Sequence, residues 1–229
     1  MIRCRGLRYQ YRNGPDLRFA DIDVEQGGVL LLRGPSGSGK STWLALAAGL
    51  LSATAGDIQV AGQRLADLGP AAGDAWRART IGFLPQKLHL SEALTVRGNV
   101  SLAYFAAGLP EDAAARQRVA LVLAELGVAD QAARRPSQLS GGQAQRVALA
   151  RALVLNPRVI LADEPSASLD DASAAAALEL LRASAARCQA TLVIATHDGR
   201  ISQALSGART LPFDAPPGAP GALCRAVLP

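Results

Sequence analysis

The chain has 229 residues, 49% hydrophobic but only 4% aromatic, which suits one globular domain with a core of Ala, Leu and Val. A net charge of +5 permits contact with nucleic acid or an anionic membrane, yet the arginines are scattered and form no basic arm, so a solvated basic surface is expected. No stretch approaches the ~18 apolar residues of a spanning helix, and Met1–Cys4 carries no secretory pattern. The distant cysteines Cys4, Cys188 and Cys224 fit neither a disulfide framework nor a metal spacing. A reduced cytoplasmic protein is expected, with any membrane part on another chain.

In chain order, Leu7–Tyr11 alternates apolar and polar residues, and Asn13-Gly14 then supplies a hairpin turn. Leu17–Phe19 and Ile22–Val24 read as short strands. Val29–Leu32 is a continuous apolar run, as a strand buried on both faces requires. A glycine-rich stretch leads into a helix over Ser41–Leu50. Asp57–Val60 and Ile81–Leu84 read as strands. From about Leu94 to Leu155 the chain is rich in Ala, Leu, Arg, Gln and Glu and reads as mostly helical. Val159–Ala162 is another buried strand, Ala172–Arg187 a helix and Thr191–Ala195 a strand. The tail from Pro212 is rich in Pro and Gly. Strands alternating with helices predict an α/β fold with a mainly parallel sheet and a helical insertion at about 87–156. The whole of 1–229 is expected to be one domain, with a short tail at 214–229.

Gly34-Pro35-Ser36-Gly37-Ser38-Gly39-Lys40-Ser41 fits G-x-x-x-x-G-K-[ST], between a predicted strand and a predicted helix. Glycines let successive backbone N–H groups converge, and with the positive helix end they hold phosphate oxygens. Lys40 is expected to reach the β- and γ-phosphates, and Ser41 to offer its hydroxyl to Mg²⁺. Thr42 extends the nucleotide contact. Lys40 and Lys87 are the chain's two lysines among 24 basic residues. A compact ammonium suits a phosphate cradle better than a planar guanidinium.

The run Val159–Ala162 leads straight into Asp163-Glu164-Pro165. Carboxylates at the carboxyl end of a buried strand lie where α/β sheets bind ligands. Asp163 is assigned to Mg²⁺, and Glu164 to orienting or deprotonating the attacking water.

Leu139-Ser140-Gly141-Gly142-Gln143 contains a capping box, Ser140 with Gln143, ahead of a helix over Ala144–Leu155. Two glycines in a first turn cost roughly 1 kcal/mol each relative to Ala. They make sense where a ligand must approach the backbone closely at a positive helix end.

These three motifs, in this order and spacing, resemble the nucleotide-binding domain of ATP-binding cassette (ABC) proteins, from about Ile2 to Phe213. The resemblance implies a P-loop NTPase fold with an N-terminal antiparallel β subdomain and an inserted helical subdomain. It implies ATP and Mg²⁺ as ligands and ATP hydrolysis as the activity. Gln86 matches the glutamine that senses the γ-phosphate and Mg²⁺ and begins the segment that meets a membrane subunit. Ser168-Leu169-Asp170 matches the loop that crosses the dimer interface. His197 matches the histidine at the γ-phosphate. Tyr11 matches the aromatic that stacks on adenine, with Tyr9 nearby as the other candidate. His89 is taken as a surface residue. Two cassettes of the family, here expected to be identical, close head to tail, each ATP lying between one phosphate loop and the partner's Ser140–Gln143. An integral membrane permease subunit is then the further partner, and no nucleic acid is expected.

Leu161-Ala162-Asp163-Glu164-Pro165 and Arg135-Pro136-Ser137 resemble the subgroup of lipoprotein-releasing and macrolide-exporting ATPases and the cell-division cassette. Gly98 and Ala144 depart from residues common there. A soluble cassette acting on nucleic acid or ribosomes is the alternative; the interval between phosphate loop and signature is too short for a long coiled coil. A small-molecule kinase has no use for the glycine-rich signature.

Overall fold

The computed structural model describes residues 1–213 except Asn13, Pro15, Ser168 and Ser206. The tail at 214–229, Asn13 of the expected turn, and Ser168 therefore lie outside the described residues.

Two sheets organise the chain. In the first, β1 (Ile2–Gln10) pairs antiparallel with β2 (Asp16–Arg18), β3 (Ile22–Val24) and β5 (Ala55–Val60), and β6 (Gln63–Arg64) adds to β5. Strand β1 starts well before the expected Leu7. Ile2 and Cys4 face inward and Arg3 and Arg5 outward, but the alternation then slips. Gly6 has φ +55, and the register with β5 shifts between Arg5 and Arg8. This bulge puts Leu7, three residues after Cys4, back on the buried face and breaks the two-residue period into short pieces.

The second sheet is wholly parallel, in the order β10 (Arg209–Pro212), β4 (Val29–Arg33), β9 (Thr191–Thr196), β8 (Val159–Asp163), β7 (Ile81–Leu84). Its central strands are buried on both faces, so alternate residues feed two cores. Leu31, Ile160, Ala162, Leu192 and Ile194 enter the core shared with α3 (Val96–Ala106), α4 (Ala113–Glu125), α5 (Gly141–Leu153) and α6 (Asp171–Cys188). Leu30, Leu32, Val159, Leu161, Val193 and Ala195 enter the core shared with α1 (Lys40–Ala47) and the antiparallel sheet. Each fully buried Leu, Ile or Val contributes about 1.5–3 kcal/mol, which explains the continuous apolar runs.

Boundaries differ from expectation in readable ways. Helix α1 begins at Lys40, since Gly39 in the left-handed region is its N-cap, and it ends at Ala47, before Gly49 at φ +64. Helix α5 begins at Gly141, so both signature glycines lie inside it. Two elements lack a sequence signal. In α2 (Pro70–Thr80) only Thr80 is buried, which leaves no apolar stripe to read. Strand β10 buries only Leu211 and ends in Pro212, where the Pro-rich tail was expected to start.

Because β4, β7, β8 and β9 run parallel side by side, their carboxyl ends share one edge. The phosphate loop, Gln86, Asp163-Glu164 and His197 all leave the sheet there. No helix among the described residues is long and apolar enough to cross a membrane.

Candidate active site

The loop after β4 is shaped by backbone needs. A Cβ at Gly34 would lie 2.4 Å from the carbonyl oxygen of Phe213, so only glycine fits. Gly37 and Gly39 have φ +76 and +102, which other residues rarely adopt. No side chain caps the amino end of α1, so its first N–H groups have no side-chain acceptor. Lys40, 5% exposed, donates from Nζ to the carbonyls of Gly34 at 2.8 Å and Pro35 at 2.9 Å. Ser36, Gly37 and Gly39–Thr42 line a cleft of about 280 Å³ with Tyr11, Leu17, Gln86, Glu164 and His197.

Glu164 is the pivot of this cleft. Its φ of +48 lies in the left-handed region, which costs an L-residue roughly 1–2 kcal/mol. Oε1 lies 2.8 Å from Nδ1 of His197 and 3.7 Å from Nζ of Lys40. Oε2 accepts from the Thr196 hydroxyl at 3.0 Å and from the His197 amide at 3.4 Å. Asp163 ends β8 with Oδ1 buried and without a partner. Burial raises its carboxyl above the ordinary range; the Ser41 hydroxyl opposes the shift, the charge of Glu164 adds to it, and Lys40 opposes it. A buried, unpartnered carboxylate oxygen near a hydroxyl is a donor set suited to a hard divalent cation. Among the described residues no three His, Cys, Asp or Glu side chains cluster as a closed metal cage.

Of the two tyrosines, Tyr11 faces the cleft. It lies just past the end of β1, is 39% exposed, and its hydroxyl is 2.7 Å from Oγ1 of Thr42. Tyr9 packs into the core beside the antiparallel sheet and meets the Tyr11 ring edge-on at 4.8 Å. Gln86 is exposed at the cleft mouth, beyond the end of β7.

The signature segment stands elsewhere. Ser140 caps α5: the Gln143 amide donates to its Oγ at 3.3 Å, and its own amide donates to Gln143 Oε1 at 2.9 Å. None of Ser140–Gln143 lines the cleft. Gly141 and Gly142 are exposed, and a Cβ at either would meet nothing within 4 Å. The packing of this chain does not require glycine at either position. Asp170, also exposed, caps α6 by accepting from the Ser173 amide at 2.9 Å and hydroxyl at 2.7 Å, and these donors hold its carboxyl low.

Residues 17–167 match the family model described as ABC transporter. This chain belongs to the ABC transporter family. The cassette is 40% identical to the lipoprotein-releasing system ATP-binding protein LolD of Chromohalobacter salexigens, over 86% of this chain and 85% of that one. It is 41% identical to the macrolide export ATP-binding/permease protein MacB 1/2 of Paracoccus denitrificans, over 88% of this chain but only 30% of that longer protein. Among solved structures, a dimer of the ATP-binding cassette MJ0796 with ADP and Pi superposes with TM-score 0.81 at 29% identity, covering 94% of this chain and 96% of that one. The chain is thus an ATP-binding, ATP-hydrolysing cassette of an ABC transporter, and its relatives include the subgroup its wording resembles.

The cassette holds polar groups that sequence reasoning passed over. Thr196, fully buried, joins Glu164 to the amide of Asp198. Ser166, 2% exposed, donates to Asp198 Oδ2 at 2.9 Å. Arg151 of α5 donates to the carbonyls of Leu88 and His89, and its guanidinium is lowered by burial. The signal for Thr196 was slight: a hydroxyl follows the apolar run Leu192–Ala195.

Proposed function

We propose that two copies of this cassette close head to tail around two molecules of Mg²⁺-ATP, and that closure drives a separate membrane subunit. The observation that carries this reading is the split site. The phosphate loop, Glu164 and His197 share one cleft, whereas the exposed glycines at the start of α5 stand outside it and serve no packing need of their own chain. A second copy can bring that positive helix end to the nucleotide.

Lys40 exchanges its bonds to Gly34 and Pro35 for bonds to the β- and γ-phosphates. Tyr11 stacks on the base, and the amides of Gly34–Thr42 hold the phosphate chain. Ser41, Asp163 and Gln86 are the residues that would hold Mg²⁺, and the ion would supply neutralisation of charge on the phosphate oxygens. Glu164 takes a proton from water as its oxygen bonds to the γ-phosphorus and the bond to ADP breaks. His197, held at Oε1 of Glu164, stands at the γ-phosphate. From the partner copy, Ser140–Gln143 complete the far side, and Asp170 lies on the loop that crosses between copies.

Glu164→Gln keeps shape and hydrogen bonding but removes the base. It should bind ATP normally, lose hydrolysis about 10²- to 10⁴-fold, and elute as an ATP-dependent dimer in size-exclusion chromatography. A variant that stays monomeric with ATP while losing hydrolysis would contradict the reading.

For the membrane partner, a groove of about 270 Å³ lined by Ala78, Phe83, Leu102, Ala106, Arg151 and Leu155 among others adjoins the segment that Gln86 begins. Phe105, on the same helix as Leu102, is 84% exposed. A short helix of a permease subunit at the inner face of the membrane fits such a groove. Co-expressed with that subunit, the cassette should sediment with membranes, and Phe105→Asp should release it. Crosslinks from Phe105 that reach only ribosomal protein or nucleic acid would instead favour the soluble alternative.

A further inference from the structure

Glu164 does not hold its own carboxylate in place. It sits at a turn with a left-handed φ, and the last torsion of its side chain is a soft sp³–sp² rotation. The orientation of its two oxygens must come from neighbours. Those neighbours are Lys40 of α1, His197 beyond β9, Asp163 of β8 and Thr196, the last residue of β9.

Thr196 differs from the rest in being fully buried and fixed to a central strand. Its Oγ1 is 3.0 Å from the Asp198 amide nitrogen and 3.0 Å from Oε2 of Glu164. A hydroxyl has one proton to give, and an amide N–H can only donate. The Asp198 amide therefore occupies a lone pair of Oγ1, and the Thr196 proton must point at Glu164. Oε2 is thereby tied to the end of β9, and Oε1 is left as the oxygen facing Lys40 and His197. On the far side, the bond from Ser166 to Asp198 braces the turn that presents this amide. A valine would fill the same volume on this apolar strand, so the hydroxyl is not there for packing.

We propose that Thr196 is the positioning residue of the reaction: its hydroxyl selects which oxygen of Glu164 meets the attacking water. This rests on the reading of Glu164 as the group that takes the water's proton.

The test uses the purified cassette with Thr196→Val, Thr196→Ser, Glu164→Gln and the double variant Thr196→Val/Glu164→Gln. Turnover, KM, affinity for a fluorescent ATP analogue and the ATP-dependent dimer are measured for each. Loss of one hydrogen bond to a charged group predicts that Thr196→Val lowers kcat about 10- to 100-fold, with KM and nucleotide affinity within about twofold of the parent. With hydrolysis slowed, its ATP-bound dimer should accumulate. Thr196→Ser, which keeps the hydroxyl, should recover most of the turnover, and Thr196→Val should slow the Glu164→Gln chain no further. Parental turnover in Thr196→Val, with Glu164→Gln inactive, overturns the proposal and leaves the role of Glu164 standing. A serine variant as slow as the valine one, or loss of nucleotide affinity and dimer together with kcat, also overturns it, since the hydroxyl would then be structural. Parental turnover in Glu164→Gln overturns the underlying reading and the proposal with it.

Discussion

Nζ of Lys40 and Oε1 of Glu164 stand 3.7 Å apart, with side chains only 5% and 10% exposed. Each charge is removed from water beside the other. Phosphates bound at this ammonium, as proposed above, would add negative charge beside Glu164.

Replacing Lys40 by Ala removes both the phosphate contact and the counter-charge of a buried carboxylate. Hydrolysis should become undetectable. Nucleotide affinity should fall about 10- to 100-fold, the worth of a charged hydrogen bond or two. Arginine should not rescue, because a planar fork does not reproduce a point charge. Fluorescent-nucleotide titration with a phosphate-release assay checks both.

Ser140→Arg places a bulky cation at the exposed start of α5, outside the cleft of its own chain. Nucleotide binding by the monomer should stay near normal while hydrolysis falls. Mixing this variant with Lys40→Ala should restore a fraction of activity, because a mixed dimer contains one intact composite site. Loss of binding together with hydrolysis would place the signature in its own chain's site.

Gly34→Ala drives a Cβ to 2.4 Å from the Phe213 carbonyl oxygen, a contact that backbone must move to relieve. Overpacking of this kind costs about 1–3 kcal/mol, which at this chain length lowers Tm by several degrees, and ATP affinity should fall with it. Gly141→Ala meets nothing within 4 Å in its own chain. It should melt at or a little above the parent, since Ala suits a helix better than Gly, and lose only turnover. Calorimetry on the pair separates packing from catalysis.

Asp198 is held well below the usual carboxylate range, first by hydrogen bonds from the Arg200 side chain; burial comes next and opposes them, and the Arg200 amide and Ser166 then add to the lowering. A group with a depressed folded pKa stabilises the fold above its unfolded pKa of about 3.9, and that stability is lost as pH falls through the folded value. The difference in urea midpoint between the parent and Asp198→Asn should therefore be full at pH 6 and shrink below about pH 4. A constant difference across this range would refute the linkage.

The parallel core was legible because its strands are buried on both faces, so apolar runs such as Val29–Leu32 and Val159–Ala162 stood out from their surroundings. The phosphate loop and acidic pair were legible because their chemistry constrains residue type over consecutive positions. What escaped was whatever depends on distant partners. Strand β10 exists because β4 offers it an edge, and α2 presents no stripe because Trp76 is only partly buried. Thr196 acquires its meaning from Glu164, 32 residues away in sequence, and from an amide two residues on. Which of Tyr9 and Tyr11 faces the cleft likewise depends on where β1 ends.

Strand β10 also brings a late part of the described chain against the early phosphate loop. It lies along β4, the Phe213 amide donates to the Arg33 carbonyl at 2.7 Å, and Phe213 packs against the first glycine of the phosphate loop. The loop's own residues leave the ribosome early, but the wall they lean on arrives with nearly the last part of the described chain. A nascent cassette should therefore grip ATP poorly until Phe213 has left the ribosome. Nucleotide crosslinking to ribosome-stalled chains of increasing length should show capture beginning only once that residue has emerged.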